Sequence, residues 1–332
     1  MSLMPGRVRH RSLLVLLILV WAISWPVIKI GVTSVPPIWF GCLRYAVGTF
    51  CLFALMAFRR ELILPPRADW PLVAVSGCLQ MASYSALTGV ALTILPPGRA
   101  SVLAFSTPIW VVPLAGWWLH EDISPLAMAG AGVGVSGVLA IAAPSLHPGG
   151  TSQTVAYAML MSAAAAWAVS IVFVRSHRFT ATPFALAPWQ MLVAACLLCP
   201  LAMAVEGSPP TIGARGIVAL AYVGPIATAF AYWAVVETGR YFRATTMSMA
   251  LLAAPSLGIL ISVLTLGETV GPSLIAGVAL TGAGIRLATS APSPQRTPSK
   301  VLEIRSSARQ HESSNPPTST TLLNDHPTRP PD

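Results

Sequence analysis

Charge is the scarcest property of this sequence. Only 9% of its residues are Asp, Glu, Lys or Arg, while 55% are hydrophobic. A soluble domain is roughly a quarter charged, so a chain of this composition cannot cover a water-facing surface of ordinary polarity. Acids are rarer than bases, 11 against 20, and none lies centrally in an apolar run; Glu237 sits at the end of one. No His-Glu-x-x-His, Walker A or Gly-x-Ser-x-Gly stretch occurs, which leaves metalloprotease, nucleotide-hydrolysing and serine-nucleophile chemistry without support. His120-Glu121-Asp122 are consecutive and do not share a helix face, so neither a metal nor another cofactor is expected. The five cysteines, Cys42, Cys51, Cys78, Cys196 and Cys199, are odd in number and all fall in apolar runs, which argues against a disulfide framework.

What the chain has in abundance is long apolar runs. A membrane-spanning helix takes about 20 mostly apolar residues, and ten such runs can be drawn: 12–33, 38–58, 70–92, 97–119, 124–144, 152–175, 183–205, 215–238, 244–266 and 271–290. They lack the polar–apolar alternation of a transmembrane β-barrel. The fold class expected is therefore all-α integral membrane, with ten transmembrane helices. Arg7, Arg9 and Arg11, then Arg59, Arg60 and Arg67, then Arg175 and Arg178, then Arg240 and Arg243 all fall on one side, against Arg99 and Arg215 on the other. Cytoplasmic loops collect such residues, so both termini are expected in the cytoplasm, with the protein in a bacterial inner membrane. The net charge of +9 reflects this bias and the tail; a nucleic-acid partner is not expected. Ala22-Ile23-Ser24 resembles a signal-peptide cleavage site, but the apolar run continues past it. Residues 1–11 and 291–332 are expected to be cytoplasmic tails, the second rich in Ser, Thr and Pro and disordered.

The sequence repeats itself. Trp21-Ala-Ile-Ser24 and Trp167-Ala-Val-Ser170 lie 146 positions apart, and each is followed five residues on by a base, Lys29 and Arg175. Pro37 and Arg44 correspond to Pro183 and Gln190 at the same offset. Further along the offset becomes 147: Ser101 with Ser248, Pro108 with Pro255, Glu121 with Glu268, Gly130 with Gly277, Gly137 with Gly284. The chain thus reads as two five-helix repeats, 12–144 and 152–290, joined by a short outer linker at 145–151. Because each half has an odd number of helices, the second is inverted relative to the first. Inverted repeats are a transporter signature, since exchanging the conformations of the halves alternates access to a site between them; simple duplication without alternating access is the other reading. The Trp-Ala-x-Ser motif in the first helix of each half, with a Pro-containing fourth helix ending near Glu, resembles the EamA family of the drug/metabolite transporter superfamily. The resemblance spans about 12–290 and implies export or import of amino acids or other small metabolites.

Candidate site residues follow from these motifs. Trp21, Ser24, Trp25 and Ile28 share one helix face by spacing, and Pro26 frees the carbonyl of Ala22, which must face protein or water. Trp167 and Ser170 repeat that face. Such aromatic and hydroxyl walls suit a small amphipathic or zwitterionic ligand, and Trp faces attract cations; alternatively the small residues only permit close helix packing. Pro108 and Pro255 interrupt the fourth and ninth helices and leave bare carbonyls at Ala104 and Leu251. Gln80 and Tyr84 share a face, and Tyr232 and Trp233 lie within the eighth helix; each needs a polar partner, in a ligand or in a neighbouring helix. Lys29, Arg44 and Glu268 are expected toward the outer face, with Arg175, Gln190 and Glu121 as their inner counterparts. These sets read as two gates. The simpler readings are the positive-inside rule for Arg175, and helix-dipole stabilisation for the two glutamates, which sit just before helices.

Gly132-Val-Gly134-Val-Ser-Gly137 matches a dinucleotide fingerprint, but it lies in an apolar span with no strand before it. The small residues there give a packing face instead. The functional expectation is a secondary transporter of a small organic solute, with the lipid bilayer as its setting and export of amino acids or related metabolites as the family resemblance implies. The absence of a central carboxylate favours exchange over proton coupling. A membrane-embedded enzyme or a receptor is the alternative. The sequence carries no signal for a particular oligomeric state.

Overall fold

The computed structural model describes residues 5–120, 123–143, 151–177, 179–239, 241–242, 251 and 253–290. Glu121, Arg178, Arg240, Arg243, most of the linker and the 291–332 tail lie outside the described residues. Every regular element among the described residues is helical. We number them α1 (Pro5–Ser34), α2 (Pro37–Phe58), α3 (70–94), α4 (Pro97–Leu119), α5 (Pro125–Ala142), α6 (Thr151–Ser176), α7 (Pro183–Glu206), α8 (Ala214–Thr238), α9 (Ala253–Leu266) and α10 (Pro272–Ser290). Seven of these are long and apolar enough to cross a membrane, and α9 and α10 are shorter apolar helices. α3 is apolar but dotted with Ser76, Gln80, Ser83, Ser85 and Thr88. The ends of the bundle at Ser34, Leu95 and Leu266 are called upper, those at Phe58, Leu119 and Ser176 lower.

Prolines set where helices start. Pro37, Pro97, Pro125, Pro183 and Pro272 each open a helix, where the missing N–H costs nothing and φ is already helical. Ser124 and Thr182 then cap α5 and α7, accepting from the backbone N–H of Ala127 at 3.1 Å and of Ala185 at 3.3 Å. α2 and α4 cannot do this, because Pro36 and Pro96 occupy the cap positions. Their exposed N–H groups are taken by carboxylates from the other half of the chain. Glu206, at the end of α7, accepts from Ile38 N and Trp39 N, both at 2.9 Å. Glu268 accepts from Gly98 N at 2.9 Å and Arg99 N at 3.2 Å. At the lower end Asp69 does likewise for Thr180 N (3.0 Å) and Ala181 N (2.7 Å), just ahead of α7.

Two helices are wound wide in the middle. Ser76–Ser83 of α3 and Val223–Phe230 of α8 are π-helical, and they stand 147 residues apart, the offset of the sequence repeat. Pro225 accounts for a missing ladder bond in the second; the first has no proline. Each carries a glycine at its second position that meets another helix. A Cβ on Gly77 would come within 2.7 Å of the Gln190 carbonyl in α7, and one on Gly224 within 2.6 Å of Val47 in α2. π-bulges of this kind concentrate at functional sites.

α4 is broken rather than kinked: helix runs to Ala104, turns at Phe105 and Ser106, and resumes at Thr107. Pro108 frees the Ala104 carbonyl, as its position in the sequence predicts. That carbonyl is not bare, however, since the Thr107 hydroxyl donates to it at 3.1 Å, and the Ser106 hydroxyl donates to Leu103 O at 2.6 Å. The main helix pairings join the first part of the chain to the second: α5 with α10, α2 with α7, α1 with α8 and α9, α3 with α6 and α7, α4 with α6. The closest is α5 against α10, where glycines face glycines. A Cβ on Gly137 would stand 2.5 Å from Thr281 N, and one on Gly284 would strike Gly134 N. Overpacking costs about 1–3 kcal/mol, so Gly137→Val and Gly284→Val should each lower the thermal midpoint of the purified protein by several degrees. Gly282→Ala, with nothing within 4 Å of the added carbon, should not lower it, since alanine favours the helix over glycine by about 1 kcal/mol.

Candidate functional site

A cavity of about 190 Å³ lies between α1, α2, α3, α4, α6, α7 and α8. Drug-sized ligand pockets run about 300–1,000 Å³, so its occupant is small. Trp21, Ser24 and Trp25 of α1 line it, with Gln80 and Tyr84 of α3, Trp167 of α6 and Tyr232 of α8. These seven were singled out by the sequence, and the fold brings them to one place. Their geometry is fixed by neighbours. Tyr84 and Trp167 meet edge to face at 4.9 Å between ring centroids. Ser170 is buried behind Trp167 and donates to Gln80 Oε1 at 3.4 Å. Ser24 turns its hydroxyl back onto Trp21 O at 2.7 Å. The Ala22 carbonyl freed by Pro26 faces α9, where a Cβ on Gly258 would come within 3.5 Å of it.

Arg44 also lines the cavity, so it stands in the wall rather than at the outer edge where the sequence suggested a gate. Its Nε donates to Thr228 Oγ1 at 3.0 Å, and its guanidinium lies 5.0 Å from the Tyr45 ring centroid. Gln190, its counterpart by sequence offset, is buried and accepts from Tyr232 Oη at 2.7 Å. It braces a cavity residue and does not gather with Arg175, which is exposed at the lower end of α6. Trp233 packs against Phe230, 5.7 Å between centroids, outside the cavity. Pro108, at the start of the second part of α4, and buried Pro255, in α9, do not line it.

Several wall residues escaped sequence reasoning. Phe105, at the break in α4, lies 6.3 Å from both Trp21 and Trp25. Nothing in its neighbourhood but Pro108 hints that it turns inward. Thr88 and Thr228 had a usable signal: each is four residues from a predicted wall residue, Tyr84 and Tyr232, and so shares its face. Tyr45 had none beyond its adjacency to Arg44.

Above the cavity, the tip between α3 and α4 is held from both sides. Lys29 Nζ donates to the carbonyls of Leu92 at 2.5 Å, and of Thr93 and Leu95 at 3.3 Å, so a cation sits at the carbonyl end of α3. Glu268 sits at the N–H end of α4. Both placements suit the helix dipoles. Lys29 and Glu268 are close enough to interact electrostatically, so these two members of the expected outer set do come together. Burial pushes the Glu268 carboxyl above its usual range, against the opposing pull of the Gly98 and Arg99 N–H groups and of the Arg99 and Lys29 charges. Glu121, its counterpart, lies outside the described residues.

A small cavity between the helices of a bundle, lined by aromatic rings and a few polar groups, is the kind of place where a small solute binds. The sequence profile of the EamA-like transporter family matches residues 11–143 and again residues 154–290. The chain belongs to that family, whose members are transporters and not enzymes. It is 22% identical over 272 residues to the uncharacterized transporter YoaV of Bacillus subtilis, covering 82% of this chain and 93% of that protein. It is 26% identical to a probable terminal-alkyne amino-acid exporter of Streptantibioticus cattleyicolor, over 82% of this chain and 91% of the other. A probable amino-acid metabolite efflux pump of Salmonella typhimurium is 24% identical, over 82% and 92%. Among solved structures, a chain described only as the crystal structure of a protein shares the fold with a TM-score of 0.60 and 22% identity, over 87% of this chain and 99% of its own length.

The raised pKa of Glu268 sets a pH dependence. A carboxyl whose folded value exceeds its unfolded one stabilises the fold most below the unfolded value, here 4.5, and loses that contribution as pH rises through the folded value. Measured against Glu268→Gln, the wild-type thermal midpoint should therefore gain as pH falls from 7 toward 4.5, with all other groups cancelling. Glu268→Ala should lower the midpoint throughout, because each unpartnered N–H costs about 1–3 kcal/mol.

Proposed function

We propose that this protein is a secondary transporter of small organic metabolites such as amino acids, with export the expected direction, working by alternating access. In this reading α1 to α10 all cross the membrane, as two inverted five-helix repeats at 12–144 and 152–290. The membrane is the bacterial inner membrane and both termini are cytoplasmic, in keeping with the arginine bias of the loops. The observation that carries the reading is the cavity itself. Its walls come from α1–α4 on one side and from α6–α8 on the other, so relative movement of the halves opens or closes it. The recurrence of a π-helical segment at the repeat offset and the preference of the helices for partners across the halves support the same division. Relatives named as amino-acid exporters and efflux pumps support the substrate class.

The substrate contacts are Trp21, Ser24, Trp25, Gln80, Tyr84, Trp167 and Tyr232, with Ser170 orienting Gln80. Lys29 and Glu268 form the upper gate: Glu268 holds the start of α4 from the opposite half, and releasing it frees the α3–α4 tip. Arg175 and Glu121 are the corresponding lower pair. Among the described residues that line the cavity there is no carboxylate or histidine, which favours exchange over proton coupling.

Counterflow in proteoliposomes tests this. Vesicles loaded with pools of amino acids and small metabolites should accumulate labelled solute from one pool. Trp21→Ala or Trp167→Ala should reduce the rate about tenfold, the equivalent of roughly 1.4 kcal/mol of lost contact. Folded protein that exchanges nothing from any pool contradicts the proposal.

A further inference from the structure

The described wall of the cavity carries formal charge of one sign only. Among the described residues that line it, Arg44 is the single charged side chain; the rest are aromatic, aliphatic, hydroxyl or amide. A guanidinium has five N–H donors in a rigid fork. Arg44 spends one, at Nε, on Thr228, and no described side chain or carbonyl accepts from its two terminal nitrogens. Arg44 is held in place on two further counts. Tyr45 lies beside it, and Gly224 of the α8 π-segment packs against its own carbonyl, with a Cβ there only 3.5 Å away. The pinned Nε and the two open terminal nitrogens leave a fork whose natural complement is a planar two-oxygen anion, since arginine binds carboxylates through paired, parallel hydrogen bonds.

The rest of the wall defines the body of the ligand. Trp21, Trp25, Tyr84, Phe105 and Trp167 present flat apolar surfaces, and a small cavity walled by rings accepts one ring or a short chain. What the described wall residues lack is a counter-charge for an ammonium. Burying an unpaired ammonium is costly, and here it would also be repelled by Arg44. Taken alone, the tryptophan motifs favour a zwitterion or a cation; a lone arginine in the same wall reverses that preference.

We propose that this cavity selects organic monoanions, a single carboxylate on a flat apolar or aromatic body, over the zwitterion, cation and neutral amide of the same body. The inference rests on reading this cavity as the solute site; within the small metabolites of that reading it sets aside free amino acids in favour of acids whose amine is absent or masked.

A series with one body and four charge states tests it: phenylacetate, phenylalanine, phenethylamine and phenylacetamide. Binding to the full-length protein in detergent is read from intrinsic tryptophan fluorescence, to which Trp21, Trp25 and Trp167 report from the wall. Phenylacetate should bind at least tenfold more tightly than the amide and the amine, and several-fold more tightly than phenylalanine. In Arg44→Gln the acid and the amide should fall within twofold of each other, with the amide unchanged; Arg44→Lys should keep part of the preference. If Arg44→Gln does not fold, the wild-type series decides alone. Equal or tighter binding of phenylalanine or phenethylamine, or no binding of any of the four, overturns the proposal. Counterflow with the same compounds separates the two claims. Selective phenylacetate binding without exchange leaves the anion preference standing and defeats the transport reading. Exchange without acid preference does the reverse.

Discussion

An unpaired backbone N–H in a low-dielectric bundle costs about 1–3 kcal/mol, and α2 and α4 begin with no capping side chain of their own to prevent it. Pro36-Pro37 and Pro96-Pro97 open α2 and α4, and proline can neither cap nor donate. The partners come from distant acids, Glu206 for α2 and Glu268 for α4. These contacts span about half the chain, so the ends of helices in one half are completed only when the other half is in place. With Lys29 on the carbonyl end of α3, the α3–α4 tip is a fixed point above the cavity, held by one cation and one anion. In a membrane, where lipid offers no hydrogen bonds, such contacts are both structural requirements and natural points of release.

The π-helical segments extend the same logic to the middle of the bundle. Widening α3 at Ser76–Ser83 and α8 at Val223–Phe230 lets glycines approach α7 and α2. Through this approach Gln80, Ala227 and Thr228 reach the cavity wall. The wall is therefore built from crossings between the halves: Arg44 on Thr228, Ser170 on Gln80, Tyr84 on Trp167. A displacement of one half against the other cannot leave these contacts unchanged. Their coupling to solute movement is the substance of the transport proposal.

Much of this was legible in the sequence. Apolar runs and scarce charge give the helical membrane class. The Trp-x-x-Ser echo and the Gln80–Tyr84 spacing point to residues that line one cavity, or in the case of Ser170 brace its wall. What the sequence hid is mostly long-range. The spacing of Arg44 from its helix start suggests an edge position, whereas the approach of α8 makes it part of the wall. Pro108 announces a freed carbonyl, but not that Thr107 would cover it or that the resulting turn would aim Phe105 at two tryptophans. The glycines at 77 and 224 mark the π-segments only once their neighbours in space are known. Glu268 is visible as a repeated acid before a helix, yet the helix it caps is α4 and not the one that follows it.

The most direct test of alternating access is a pair of distances. Spin labels at Thr93 and Thr269 report on the upper end, and labels at Glu61 and His177 on the lower; all four positions are exposed. In a background with the native cysteines replaced, adding a transported solute should shorten one distance as the other lengthens. Two distances that stay fixed, or that change together, would contradict the account.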